Sequence, residues 1–182
     1  KAALVATVDG IERDLAVPLP DGATVSIVTA DSDAGLYTIR HSTAHVLAQA
    51  VLDLWPGATY AIGPPIDHGF YYDFLLPEGA TFSPEDLEAI DSRMREIIAL
   101  DQLFERHETD ASGAMELFEG HPYKREIIEK VSEGDGGAEL SGEAGASGVL
   151  SCYRNGDGFV DLCMGPHVPS TGRLGHFALQ KV

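Results

Sequence analysis

Cysteine is scarce in this 182-residue chain: Cys152 and Cys163 are the only two. That number and spacing exclude a disulfide framework and a CxxC metal clamp, and a reducing cytoplasm is the compartment to expect. Basic residues are also few, with 12 Lys and Arg against 29 Asp and Glu and a net charge of -17. A broad phosphate-binding track needs a dense Lys/Arg surface, so any contact with nucleic acid has to be local. Long apolar runs are missing, and the first residues carry no basic stretch followed by an apolar core; neither a membrane span nor a secretory signal is expected. No internal repeat is visible. What remains is ordinary, with 44% hydrophobic and 23% charged residues, enough for one sizeable core and a small companion unit. Both ends read as strands, "AALVATVDG" and "HFALQKV", so the chain reads as an excerpt from something longer.

Residues 1 to 30 alternate short β-type runs (Leu4 to Val8, Val25 to Thr29) with turn signals at Asp9-Gly10 and Pro20-Asp21-Gly22, the pattern of a small β-rich unit without its own helix. Asp31-Ser32-Asp33 offers N-cap side chains to a helix from about Leu36 to Leu54, stopped by Pro56-Gly57. A Pro/Gly-rich turn, "AIGPPIDHGF", leads into "YYDF", a strand whose alternation sets Tyr72 and Phe74 on one face and Tyr71 and Asp73 on the other. Ser83 as N-cap and Pro84 at the first helical position open a further helix with the apolar stripe Leu87, Ile90, Met94, Ile97 and Ile98. A β-like stretch from Leu103 to His107 precedes a short helix near Ala111 to Phe118 and another from Pro122-Tyr123-Lys124 to Val131. Residues 132 to 148 are rich in Gly, Glu and Ser and aperiodic, which reads as a surface loop. Runs at Val149 to Tyr153 and Phe159 to Cys163 flank "RNGDG", a hairpin signal. The fold class is therefore α+β, with helices packed on an antiparallel sheet.

Two stretches carry candidate chemistry. In "HSTAH" the four-residue spacing sets His41 and His45 on one helix face. In "DLCMGPHV" a Gly-Pro turn folds the chain back between Cys163 and His167 and could aim thiol and imidazole at one point. Each half alone is compatible with histidines bonded at a helix surface and a cysteine in the core. Together they make four donors of a softness that suits zinc.

The pairing of "HSTAH" with "DLCMGPH", separated by "GPPIDHGFYYDF" and "HPYKREII", resembles the editing domain of bacterial threonyl-tRNA synthetases. Residues 1 to 32 resemble the later part of the small β-grasp (TGS) domain that precedes it, which makes 33 to 182 the editing domain. The resemblance implies hydrolysis of the ester between serine and the terminal ribose of threonine tRNA. A synthetic pocket built for threonine cannot strongly exclude serine, because a missing methyl is worth only about 1–3 kcal/mol. Carried over by motif, His41, His45, Cys163 and His167 line the pocket. By the same resemblance Lys124 of "PYK" would assist water activation or charge stabilisation, and Asp161 would grip the substrate's amino group. Tyr72 stands at the pocket edge, where it could stack on the terminal adenine or bond its sugar. The implied partners are the tRNA acceptor end and the rest of a synthetase chain, with no membrane.

The threonyl branch implies no metal, with water held by the histidines and lysine. The alanyl branch shares the HxxxH and CxxxH pairs and implies zinc at His41, His45, Cys163 and His167. A third reading is a catalytically silent module that places tRNA. Met164 departs from the basic residue common at its position, and nothing here resembles an aminoacylation core, so the fragment is not expected to activate threonine.

Overall fold

The computed structural model describes residues 2–133 and 150–181, and its architecture is α+β. Three strands come first: β1 (Val5–Val8), β2 (Ile11–Arg13) and β3 (Val25–Val28), antiparallel in the order β2-β1-β3. Asp9 and Gly10 both adopt positive φ, 49° and 85°, which is what a tight turn matching the strand twist requires. β2 is an addition to the two strands read from the sequence; three residues are too few to show an alternation.

The central helix α1 (Asp33–Leu54) starts where Ser32 Oγ accepts from the Gly35 N–H at 3.1 Å, satisfying one of the orphan donors of the first turn. Ala44, Val46, Ala48, Ala50 and Val51 are fully buried, so the helix is wrapped by packing on more than one side. After it come β4 (Thr59–Tyr60), β5 (Pro65–Ile66), β6 (Gly69–Phe70) and β7 (Phe74–Leu75), paired as β4-β7 and β5-β6. The Pro/Gly-rich stretch thus holds a short hairpin. Only the end of "YYDF" joins a ladder, yet Tyr72 and Phe74 do share a face, their rings stacked at 5.3 Å.

α2 (Asp86–Ala99) begins later than the Ser83-Pro84 signal suggests. Residues 84–85 form a tight turn of i→i+3 bonds ahead of it, from Asp86 N–H to Ser83 O at 3.1 Å and Leu87 N–H to Pro84 O at 3.3 Å, while Ser83 N and Oγ donate to Asp86 Oδ2 at 2.7 and 2.9 Å, the reach-back of an N-terminal cap. Ile90, Met94 and Ile97 of its stripe are buried, and α2 packs along α1.

β8 (Phe104–Thr109) is followed by α3 (Ala111–Leu117) and α4 (Pro122–Ser132). The expected hairpin is β9 (Leu150–Asn155) with β10 (Phe159–Leu162), and the sheet runs β10-β9-β8, all antiparallel. Ser132 closes α4; most of the expected loop 132 to 148 lies outside the described residues. Residues 176–181 form no strand, contrary to the reading of "HFALQKV". Phe177 and Leu179 pack on the main core instead, so the apolar content of that stretch serves side-chain packing and not a ladder. Leu4, just before β1, shares that core with Val46, Met94, Phe104, Tyr153 and Val168. Among the described residues, no helix is long and apolar enough to cross a membrane.

Candidate active site

The three-stranded sheet supplies the floor. In its register Asp161 lies opposite Tyr153, and Phe159 opposite Asn155, which in turn faces Phe104. Since alternate residues of a strand share a face, Phe104, Tyr153, Phe159 and Asp161 form one surface. α1 lies over it, with the His45 ring 5.9 Å from Phe159 and 6.3 Å from Phe104. The i, i+4 spacing does what the sequence implies, bringing the His41 and His45 rings to 5.2 Å.

The chain beyond β10 brings the other half. Cys163 Sγ is 3.3 Å from His41 Nε2 and 3.4 Å from His167 Nε2, and it accepts from the Gly165 N–H at 3.2 Å. His167 lies 4.3 Å from His41 and 4.2 Å from His45, ring to ring. One donor atom from each of His41, His45, Cys163 and His167 falls within 4.8 Å of the others. His167 is held on every side. Its Nδ1 meets Ser42 Oγ at 3.0 Å, and its ring stacks on Phe104 at 4.9 Å and stands edge-on to Tyr153 at 4.4 Å. Its main-chain N–H donates to Asp14 Oδ1 at 2.8 Å.

A second polar group adjoins the histidines. Lys124, fully buried, places Nζ 2.7 Å from Asp161 Oδ1, itself buried. The Tyr72 hydroxyl donates to Asp161 Oδ2 at 2.5 Å and accepts from Lys124 Nζ at 3.2 Å. His45 Nε2 lies 3.5 Å from Asp161 Oδ2, which joins the two groups. Tyr72 is largely buried, its hydroxyl turned inward to the ion pair, and it also lines a cavity with Phe70, Tyr71 and Phe74.

Burial removes water that would solvate an imidazolium, so the histidines are neutral. His41 is lowered to about 3, by burial first and then by neighbouring His45. His45 is also lowered to about 3, by burial and then by Lys124. His167 is pushed well below the usual histidine range by the same burial and by His45 and His41. Cys152 stands apart: it packs in a separate cluster with Phe118, Ile127 and Leu162, and burial raises its thiol to about 11.

All seven residues named from the sequence thus meet in one place, seated on α1, the β6–β7 connection, α4, β10 and the loop after it. Ser42, Tyr153, Phe104 and Asp14 join them without having been expected. Ser42 sits beside His41 in "HSTAH" and was open to notice; nothing local marks Asp14.

This geometry defines a buried polar cluster of histidine, cysteine and an ion pair on an α+β scaffold. Residues 150–182, which carry Cys163 and His167, match the "Threonyl and Alanyl tRNA synthetase second additional domain". The chain is 50% identical over its whole length to the threonine–tRNA ligase of Acidithiobacillus ferrooxidans (strain ATCC 53993 / BNL-5-31), of which it covers 26%. That of Maricaulis maris (strain MCS10) is 48% identical, with the whole of this chain and 26% of the relative aligned. That of Rubrobacter xylanophilus (strain DSM 9941 / JCM 11954 / NBRC 16129 / PRD-1) is 46% identical, with 99% of this chain and 26% of the relative aligned. The chain is homologous to threonine–tRNA ligases and spans about a quarter of the length of the curated relatives it matches.

The four-donor cluster also fits a metal. A tetrahedral zinc with bonds of about 2.0–2.3 Å separates its ligand atoms by about 3.3–3.8 Å. The two sulfur–nitrogen separations already match, and the widest, at most 4.8 Å, would have to close by about 1 Å. The contact from Ser42 to His167 Nδ1 is the kind of support that orients a ligating imidazole.

Proposed function

We propose that residues 33–182 form an editing domain and residues 1–32 part of a small β-grasp unit. On this reading the pocket hydrolyses the ester linking serine to the terminal ribose of threonine tRNA, in the cytoplasm, as one part of a longer synthetase. The observation that carries the reading is the joining of neutral His41, His45 and His167 with the buried Lys124–Asp161 pair in a homologue of threonine–tRNA ligases.

Ester hydrolysis needs a held water, charge to meet the oxyanion, and a shape that selects the acyl group. An imidazole lowered to about 3 is too weak a base to keep a proton at neutral pH, so His41 and His45 serve as acceptors that hold and orient water. The Lys124 ammonium, sequestered from solvent, supplies positive charge where a tetrahedral oxyanion develops. Asp161 takes the ammonium of the seryl group, and Tyr72 tunes that carboxylate by donating to it. Selectivity is steric: the pocket admits serine and is too small for the extra methyl of threonine. With a net charge of -17, tRNA binding by this segment is weak, salt-sensitive and confined to the acceptor end.

The cluster within 4.8 Å favours a second reading, the alanyl-type one, in which His41, His45, Cys163 and His167 hold zinc. Bound there, zinc would supply Lewis-acid polarisation of a carbonyl or a more acidic water. Hydrolysis of seryl- and threonyl-tRNA, each with and without chelator, separates these readings. Faster hydrolysis of seryl-tRNA, unaffected by chelation, is expected. Equal rates on the two esters would defeat the threonyl assignment, and loss of activity restored by zinc would establish the alanyl-type mechanism.

A further inference from the structure

We infer that Asp14, from the small N-terminal sheet unit, is a positioning residue of the pocket, so that the unit completes the site and does not merely precede it. The inference rests on the editing reading for its activity test but not for its geometry. Asp14 Oδ1 accepts the His167 main-chain N–H at 2.8 Å, and Oδ2 accepts the Tyr153 hydroxyl at 2.6 Å. These contacts span 153 and 139 residues of chain. A carboxylate acceptor makes both bonds charge-assisted and short.

The two arms act on the same object. One pins the backbone of His167; the other pins Tyr153, whose ring stands edge-on to the His167 imidazole at 4.4 Å. Tyr153 in turn fixes Gly165, because a Cβ there would lie 2.0 Å from the Tyr153 hydroxyl oxygen, and Gly165 has a φ of 73°. Gly165 sits between Cys163 and His167 and donates its N–H to Cys163 Sγ. One carboxylate therefore sets the spacing of thiol and imidazole through both wall and floor. Without it a buried N–H and a buried phenol lose their acceptor together, and the loop keeps only Ser42, the stacked Phe104 ring and the Ser151 contacts to Cys163 to hold it. Displacements of about 1 Å in a reacting constellation cost up to about 100-fold in rate.

The test uses the whole chain with Asp14→Ala, Asp14→Asn and Tyr153→Phe, well below their melting temperatures. Hydrolysis of seryl-tRNA gives kcat and KM, and ¹H–¹⁵N spectra report the His167 amide and ring. Asp14→Ala is expected to lower kcat about 10–100-fold with KM within about twofold, and to move the His167 amide signal upfield. Asp14→Asn should recover most of the rate, since its oxygen still accepts from His167 and its amide donates to the Tyr153 oxygen. Wild-type kcat in Asp14→Ala, asparagine no better than alanine, or an unmoved His167 signal would overturn the inference. Should Asp14→Ala fail to fold, Tyr153→Phe decides: a shifted His167 ring signal with kcat lowered a few-fold supports it, and unchanged values refute it. Were the wild-type chain inactive on seryl-tRNA, the editing reading would fall while the spectra still decided the role of Asp14.

Discussion

Replacing Lys124 by Met tests the ion pair on which the site depends. Lys124 Nζ and Asp161 Oδ1 are 2.7 Å apart, with both residues buried. At an effective dielectric of about 20, that separation corresponds to a gross attraction of about 6 kcal/mol, set against the desolvation of both ions. Met keeps the apolar stem and nearly the volume, so the cavity contribution is small. What the substitution leaves behind is a buried carboxylate with the Tyr72 donor and a neutral His45 beside it. Stranding one partner of a buried pair costs about 3–5 kcal/mol. With a urea slope of about 2 kcal/mol per molar, the unfolding midpoint should fall by about 1.5–2.5 M. Adding Asp161→Asn removes the stranded charge while keeping an acceptor for Tyr72, so the double variant should regain at least about 2 kcal/mol over the sum of the singles. It should fold and fail to hydrolyse seryl-tRNA, which separates charge in the reaction from charge in stability. A loss under about 1 kcal/mol in the single variant, or strict additivity in the cycle, would refute the argument that the pair is dry and coupled.

His41→Ala should reduce deacylation about 10²–10⁴-fold with little change in melting temperature, because α1 is held by Val46, Ala50 and Val51 and alanine favours helix. A large stability loss with normal activity per folded molecule would make His41 a core residue only. Stability should be full above pH 6.5 and fall on acidification toward about 3, because His41 and His45 titrate near 3 when folded and near 6.5 when unfolded, so the unfolded chain takes the protons first. Each should remove about 2 kcal/mol between pH 7 and 5, and melting temperatures flat across that range would contradict the burial of neutral imidazoles. Gly165→Ala should destabilise the chain by about 1–3 kcal/mol and weaken deacylation, through its positive φ and the collision with Tyr153; wild-type melting and rate would show that the turn does not set the loop.

Much of the site was legible because it is written in local periods. A four-residue spacing on a helix puts His41 beside His45 whatever packs against them, and the hairpin around "RNGDG" follows from turn chemistry, with Asn155 opposite Phe159. The late start of α2 was not legible, since the first turn after Ser83 closes on i→i+3 and not i→i+4 bonds, a choice of backbone geometry that the cap residues do not announce. Nor was the missing strand at residues 176–181, where Phe177 and Leu179 are apolar for the sake of core packing and not of a ladder. The sequence by itself determined the donors, their chemical types and their pairing within each element. Tertiary structure alone decided that the Tyr72 hydroxyl turns onto Asp161, that Lys124 is stripped of water, and that Asp14 reaches His167 across 153 residues. The physical reason is range: backbone geometry acts over one or two helical turns, while desolvation and convergence of charges depend on which distant surfaces the core brings together.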